Sequence, residues 1–383
     1  MSFEGNKLEV SPYYDLYFDA VRAAHEAGAS DIHFEPTRDG VAIRFRIIGD
    51  MDLPWKVLGL DHRQGFFNEI KRLSGLIIAV SGRPQDGRVS FPNLKLDARV
   101  NLLPTLHGEK IVLRLLDLQR DFKIDALGIH MSTLEILKDI PRLKNGVVLI
   151  SGPTGSGKTT TLYSLLCSID RTAKNIITLE DPVEYGLSGL NQVPIDKKVS
   201  FGTALRSVLR QDPDVILVGE IRDEETASLC FKAAQTGHLV LSTIHANSAA
   251  GVIDRLVNLG VEKFTIAENL RLSVAQRLVK TLCPGCRETA SKDILLDLSS
   301  DIFLCQEDAA TVGMFKVNGG RSCEYCRNGF IGRVPILEIM KSEEVIHHLR
   351  GAERGHLKRS LKRSFLESAT LGQVDIREVK DLA

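Results

Sequence analysis

The chain has no excess of either charge: 49 Lys and Arg are matched by 49 Asp and Glu over 383 residues. That balance removes any global electrostatic case for binding nucleic acid or an anionic membrane surface. One Trp and six Tyr leave few platforms on which the bases of a single strand could stack. No apolar run approaches the ~20 residues of a membrane-spanning helix. The opening MSFEGNKLEV lacks the basic-then-apolar pattern of a secretory signal. A protein that stays in the cytosol, free or peripherally attached and without a membrane span, is the expectation. Internal repeats and low-complexity tracts are likewise missing.

What is present is an ordinary soluble composition, 43% apolar and 26% charged. The length exceeds what one compact core usually serves, so two or three domains are expected. Residues 11 to 28 read as a helix capped by Ser11, opened by Pro12 and stopped by Gly28. Val41, Ile43, Phe45 and Ile47 then recur with period two, a half-buried strand. Arg44 and Arg46 on that strand read as structural or surface residues. Further strand-like stretches at 94–103 and 110–116 complete a small α+β domain over 1–118, with a linker and helix at 119–145.

From Gly146 the pattern changes to short continuous apolar runs, VVLI, NIITL, DVILV and HLVLSTI, separated by helical stretches. Strands without alternation imply a parallel sheet covered on both faces, an α/β core over 146–280. Such sheets place ligands at the carboxyl ends of their strands. There the first run feeds SGPTGSGKTTTLY, in which Gly152, Gly157, Lys158 and Thr159 satisfy G-x-x-x-x-G-K-[ST] between a strand and a helix. The loop Gly152, Pro153, Thr154, Gly155, Ser156 and Gly157, with Lys158, Thr159 and Thr160 behind it, is therefore a candidate cradle for nucleoside triphosphate. Lys158 would reach the β and γ phosphates and the Thr159 hydroxyl would ligate Mg²⁺.

Glu220 stands one residue past DVILVG, where a base would meet a water at the γ-phosphate; an ordinary loop acid has the same signature. Glu180, Asp181 and Glu184 follow NIITL and fit either a Mg²⁺-holding acidic cluster or a helix cap. His238 and His245 bracket the fourth run, and each read alone fits a hydrogen-bonded structural residue as well as a catalytic one. A GTP-reading N-K-x-D segment does not follow that run. A docking module without turnover would need Lys158 or Glu220 missing, and both are present.

Of seven cysteines, Cys283, Cys286, Cys323 and Cys326 form C-x-x-C, thirty-six intervening residues, C-x-x-C. In a reducing compartment this spacing points to tetrahedral, structural Zn²⁺ in a subdomain over 281–332. Cys167 and Cys230 fall in apolar helical stretches and read as buried, and Cys305 has no assigned role. The remainder, 333–383, reads as a helical C-terminal region, its Lys/Arg-rich helical stretch running from about Glu343 with a solvated face.

Taken in order, GPTGSGKTTTLY, EDPVEY, RQDPDVILVGEIRD and TGHLVLSTIHAN resemble the Walker A, aspartate box, Walker B and histidine box of the ATPases that power type II secretion and type IV pilus assembly. ASDIHFEP, RPQDGR and HGEKIVLRLLD upstream, and AQRLVKTLCPGC and CEYC downstream, extend the resemblance over nearly the whole chain. It implies a RecA-like P-loop ATPase core preceded by a small PAS-like α+β domain, working as a homo-hexamer on ATP with Mg²⁺ and a structural Zn²⁺. Glu220 would activate water, and Glu180, Asp181 and Glu184 would form the acidic box. His238 and His245 would sense or position the γ-phosphate. Arg99 and Arg114 from the N-terminal domain, with Arg206, Arg210 and Arg222 from the core, match the family's arginines, whose forks suit phosphate and could couple domain closure to it.

The implied partners are an inner-membrane platform protein and a cytoplasmic docking protein of a pilus or secretion system, with the chain cytoplasmic and peripheral to that membrane. The cysteine quartet accompanies assembly and secretion members rather than retraction motors, which are the alternative; a RecA-like nucleic-acid motor is a weaker one. Many relatives carry a further N-terminal domain that docks to the platform, whereas here the motifs begin within about thirty residues of the start. A shortened chain, a shorter subfamily or docking through other surfaces all accord with that.

Overall fold

The computed structural model describes residues 11–196, 198–291, 315–317, 323–351 and 359–382. Cys305 lies outside them. Two compact units are present, one ending at Asp121 and the other beginning at Phe122.

In the first unit, Ser11 accepts from the Tyr13 amide and Pro12 takes the first helical position of α1 (Pro12–Glu26). Gly28, at φ +66°, turns the chain out of it. Strands β1 (Ala29–Thr37), β2 (Gly40–Ile47), β3 (Asp50–Met51) and β4 (Lys56–Gly59) precede α2 (Leu60–Leu73). Strands β5 (Gln85–Phe91), β6 (Leu96–Thr105) and β7 (Gly108–Asp117) follow it. All pair antiparallel in the order β3-β2-β1-β7-β6-β5, with β4 also on β2. Alternation decides the faces. Ile32, Phe34, Ile43, Phe45, Val100 and Leu113 pack with Tyr17 and Val21 of α1 and Phe66 and Ile70 of α2. Arg44 bonds the Asp52 carbonyl at 3.0 Å and Arg46 the Gly49 carbonyl at 2.6 Å, both holding turns of the sheet.

The second unit opens with α3 (Met131–Lys138) and continues through β8 (Gly146–Ser151), α4 (Lys158–Cys167), β9 (Ile176–Glu180), β10 (Asn191–Pro194) and α5 (Phe201–Val208). Then come β11 (Val215–Ile221), α6 (Glu224–Gln235), β12 (Leu239–Ile244), α7 (Ala249–Asn258) and α8 (Lys263–Asn269). The last elements are β13 (Leu270–Leu282), β14 (Glu288–Thr289), β15 (Phe315–Lys316), β16 (Phe330–Lys341), α9 (Ser342–Leu349) and α10 (Leu361–Thr370). The main sheet runs β10-β9-β11-β12-β8-β13-β16, parallel except for β16. Every residue of β8, β9 and β12 is buried, as their unbroken apolar runs imply. One face is covered by a core containing Leu205, Phe231, Ile253 and Ile266, the other by one containing Leu137, Leu162, Leu165 and Phe122.

Two features depart from the sequence reading. Residue 280 does not end the core, because it falls inside β13, which joins the sheet beside β8. The stretch from 333 is not helical at its start: Arg333–Lys341 is the body of β16, and helix begins only at Ser342. Val334, Ile336, Leu337, Ile339 and Met340 contribute to three separate apolar clusters around that strand, so burial on both faces overrides the helical pattern. Among the described residues no helix is long and apolar enough to cross a membrane.

Candidate functional site

The phosphate loop joins the carboxyl end of β8 to the amino end of α4. Gly152, Gly155 and Gly157 adopt φ of +147°, +79° and +85°, which a side chain would resist. At Gly152 a Cβ would also come within 2.4 Å of the Gln276 carbonyl oxygen. The loop is thus shaped to expose backbone N–H groups at a helix N-terminus, an anion site by its electrostatics. Lys158 Nζ lies across it, donating to the carbonyls of Gly152 at 2.8 Å and Pro153 at 3.0 Å. Burial pushes the Lys158 ammonium below the usual lysine range; Glu220 pulls it back and Arg277 adds to the depression.

Parallel register brings the other candidates to the same edge. A shift in pairing between Val218 and Ile221 of β11 sets Gly219 and Glu220 out of the ladder. Thr243 Oγ1 donates to the freed Gly219 carbonyl at 2.7 Å. Glu220, with 16% of its side chain exposed, receives Arg222 Nε on Oε2 at 2.7 Å, and His245 Nε2 stands 2.7 Å from Oε1. Beside it a cavity of about 110 Å³ is lined by Thr159, Glu180, Asp181, Glu184, Glu220 and Arg222. A hydroxyl and carboxylates around that volume are hard oxygen donors of the kind Mg²⁺ takes, directly or through water. The donor set therefore fits the metal.

Glu180 is bound differently from its neighbours. It is buried, with Tyr163 Oη donating to Oε2, Thr178 Oγ1 to Oε1 at 2.6 Å and Gln192 Nε2 to Oε1 at 3.1 Å. Burial first, then the Glu180 contact, raises the Tyr163 phenol well above its ordinary value. Asp181 is exposed and Glu184 half-buried, so in the acidic box these two carry the accessible carboxylates.

Several expected residues lie elsewhere. His238 precedes β12, and its carbonyl accepts from the Gly146 amide at the amino end of β8. That places it roughly 17 Å of strand away from the loop that Ser151 feeds. Its Nδ1 is 2.8 Å from the Ala233 carbonyl, the role of a structural residue. Parallel strands carry His245 to the site and His238 to the opposite edge. Arg206 pairs with Glu225 at 2.6 Å and Arg210 donates to the Arg206 carbonyl at 2.9 Å; neither lines the cavity. In the first unit, Arg99 faces Arg114 across β6 and β7, and Arg114 Nε bonds Asp31 Oδ1 at 3.1 Å.

Sequence reasoning met Gln276 and Arg277 of β13 only inside AQRLVKTLCPGC and gave neither a role. Gln276 is fully buried and bonded to the loop, and a polar residue inside the apolar run LSVAQRLV was the available signal.

At the far end of β13, Cys283, Cys286, Cys323 and Cys326 gather with all four sulfurs within 4.8 Å of one another. Cys283 and Cys323 are 3.7 Å apart, Cys286 and Cys326 3.5 Å. Four sulfurs at ~2.3 Å from a tetrahedral zinc would be about 3.8 Å apart, so the set fits that ion. Cys230 is buried, as expected, and burial pushes its thiol up to about 12. Cys167 is only partly buried.

Comparison with known proteins gives three kinds of likeness. The family model described as "Type II/IV secretion system protein" matches residues 7–380. The type IV pilus assembly ATPase PilB of Pseudomonas aeruginosa is 42% identical over 343 residues, covering 87% of this chain and 58% of its own length. The type II secretion system protein E of Aeromonas hydrophila is 37% identical over 371 residues, covering 92% of this chain and 72% of its own. This chain spans 63% of the Myxococcus xanthus PilB and 64% of the Acinetobacter baylyi one, less than two thirds of either relative. The solved structure of the pilus retraction motor PilT with bound ADP superposes with a TM-score of 0.65 at 23% identity, over 98% of this chain and 97% of that one. The Legionella pneumophila ATPase DotB gives 0.67 at 21%, over 96% and 95%. At such identities the superpositions show the fold alone, an α/β P-loop core with its preceding α+β unit.

Proposed function

The chain belongs to the type II/IV secretion system protein family, and from that premise we propose that it is a Mg²⁺-dependent ATPase whose turnover drives assembly of a type IV pilus or a type II secretion pseudopilus. The observation that carries the reading is Glu220. Its carboxylate is held by Arg222 on one oxygen and faces His245 on the other, at the rim of the cavity that Thr159 enters. A base so placed accepts a proton from a water attacking the γ-phosphate, and Arg222, 2.7 Å from Oε2, orients it. Lys158 and the loop N–H groups bind the phosphates. Thr159, with Asp181 and Glu184, would hold Mg²⁺, which supplies charge neutralisation between the phosphates. Glu180 braces that box from beneath.

In this reading His245, 2.7 Å from Glu220, senses or positions the γ-phosphate, while His238 serves the fold. Arg99, Arg114, Arg206 and Arg210 do not line the cavity, so the phosphate-facing role that the resemblance implies for them would need the assembled homo-hexamer. A platform protein in the inner membrane and a cytoplasmic docking protein would receive the motion, with the chain cytoplasmic and peripheral. The cysteine cluster, spaced for structural zinc, favours assembly over retraction.

Glu220→Gln tests the reading: nucleotide affinity stays within about twofold while turnover falls by roughly 10² to 10⁴. Hydrolysis at the wild-type rate by that variant removes the assignment.

A further inference from the structure

Gln276 is a fully buried amide with both ends of its fork used. Nε2 donates to the Ser156 carbonyl at 2.6 Å, and Oε1 accepts from Thr161 Oγ1 at 2.9 Å. Its own carbonyl oxygen occupies the space next to Gly152, where any Cβ would clash at 2.4 Å. Ladder pairing of Ala275 with Ser151 and a Ser151 Oγ bond of 3.0 Å to the Val274 carbonyl hold β13 in register with the strand entering the loop. Arg277, next along, donates to the Asn247 carbonyl at 2.8 Å and to the Gln276 carbonyl at 3.2 Å. Asn247 lies two residues beyond His245.

We propose that Gln276 and Arg277 are positioning residues of the nucleotide site: Gln276 sets the phosphate loop's shape, and Arg277 ties β13, at the Gln276 carbonyl that abuts the loop, to the segment carrying His245. The inference rests on the ATP-binding reading above and deepens it. Its physical core is the planarity of the peptide bond. In a trans peptide the carbonyl and the following N–H point in opposite directions. Pinning the Ser156 carbonyl toward β13 therefore aims the Gly157 N–H away from β13, as a donor to an anion. A carboxamide offers a donor and an acceptor from one planar fork in its neutral form, which neither an ionised Glu nor Met supplies. Glu would oppose the Ser156 carbonyl with a second acceptor; Met would leave it buried and unpaired. Arg277 joins the two walls of the site, since a fork reaches two carbonyls at once where an ammonium reaches them only from a single point. Its charge also adds to the depression of the Lys158 ammonium.

The experiment measures the Kd of N-methylanthraniloyl-ADP with Mg²⁺, the apo Tm, and kcat and KM for ATP on the full chain. Gln276→Met is expected to raise Kd about tenfold, the effect of one unpaired buried carbonyl. Thr161→Val, which frees one end of the fork, should raise Kd about threefold. Arg277→Lys should lower kcat about tenfold with KM unchanged. Ser273→Ala is the structural control: on the same strand its Oγ donates to the Ala249 carbonyl at 2.7 Å, so it should lower Tm and leave Kd alone. A folded Gln276→Met with wild-type Kd overturns the inference; should that variant not fold, an unchanged Kd in Thr161→Val does so. An unaltered kcat in Arg277→Lys removes that residue's part. Wild-type protein that binds no nucleotide overturns the ATP reading and this inference together, whereas wild-type binding with unmoved variants overturns the inference alone.

Discussion

Tyr163→Phe separates two roles that one acidic box can have. Thr178 and Gln192 both serve Oε1 of Glu180, so Oε2 depends on the Tyr163 hydroxyl. Deleting that hydroxyl keeps the ring packed at 5.2 Å from Phe122 and leaves half of a buried carboxylate without its donor. A hydrogen bond to a charged group contributes about 1.5–3 kcal/mol. For a unit of this size each kcal/mol moves Tm by about 2–4 °C, so the expected fall is roughly 3–12 °C by scanning calorimetry. The Mg²⁺ dependence of turnover should stay as in wild type, because Glu180 braces the box rather than facing the cavity with a free oxygen. Asp181→Asn, altering an exposed carboxylate beside Thr159, should do the reverse: an unmoved Tm and a Mg²⁺ half-saturation raised several-fold. A Tyr163→Phe protein that melts within about 1 °C of wild type, or that needs more Mg²⁺, would refute the division of labour.

Three further outcomes are expected. Cys283→Ser should lower both the zinc recovered with the purified chain and the Tm, and chelation of wild type should reproduce the fall; a zinc-free wild-type chain with an undiminished Tm would contradict a structural metal. Glu109→Ala should cost about 3–5 kcal/mol in denaturant titration, because Lys71, 1% exposed and 2.6 Å from Glu109, would be left buried without its charge partner; Lys71→Met combined with Glu109→Leu, which removes both charges, should be close to neutral. At Glu35, burial by itself would raise the carboxyl, but Lys110 at 2.7 Å and then Arg44 at 3.4 Å override it and hold the group below the usual carboxylate range. A depressed folded value means the stabilisation is present above the unfolded carboxylate's ~4.3 and is lost as pH falls through the folded value. Glu35→Gln should accordingly flatten the loss of stability between about pH 5 and pH 3, and an identical acid profile would disprove it.

Much of the core could be read in advance because its signals are local. Unbroken apolar runs marked β8, β9, β11 and β12, and the glycine spacing around Lys158 marked a loop that must take positive φ. Glu220 could be placed for the same reason, since the strand end and the loop adjoin in every parallel sheet of this kind. The two histidines could not be told apart by spacing. Both flank one strand, and it is the parallel pairing of β12 with β8 that puts His245, at the carboxyl end, beside the phosphate loop and leaves His238 at the other edge. β13 was not legible because Gln276, Arg277 and Lys280 interrupt its apolar pattern, and the burial of both β13 and β16 comes from partners distant in the chain. The tetrad of cysteines was visible as a spacing, yet whether its two halves meet depends on the turn after β13 and the approach to β16.

The amino-acid sequence by itself determined the chemistry available: a phosphate loop, a carboxylate beyond a buried strand, and four thiols spaced for a tetrahedral ion. Those are properties of short segments, fixed by backbone freedom, hydrophobic period and side-chain type. Tertiary structure alone decided which groups act together. It set Glu220 between Arg222 and His245, sealed Glu180 under Tyr163, sent His238 to the opposite edge and laid Gln276 under the loop. Such pairings arise from strand order and register between residues up to 120 positions apart, as in the Gln276–Ser156 bond, and no local pattern encodes them.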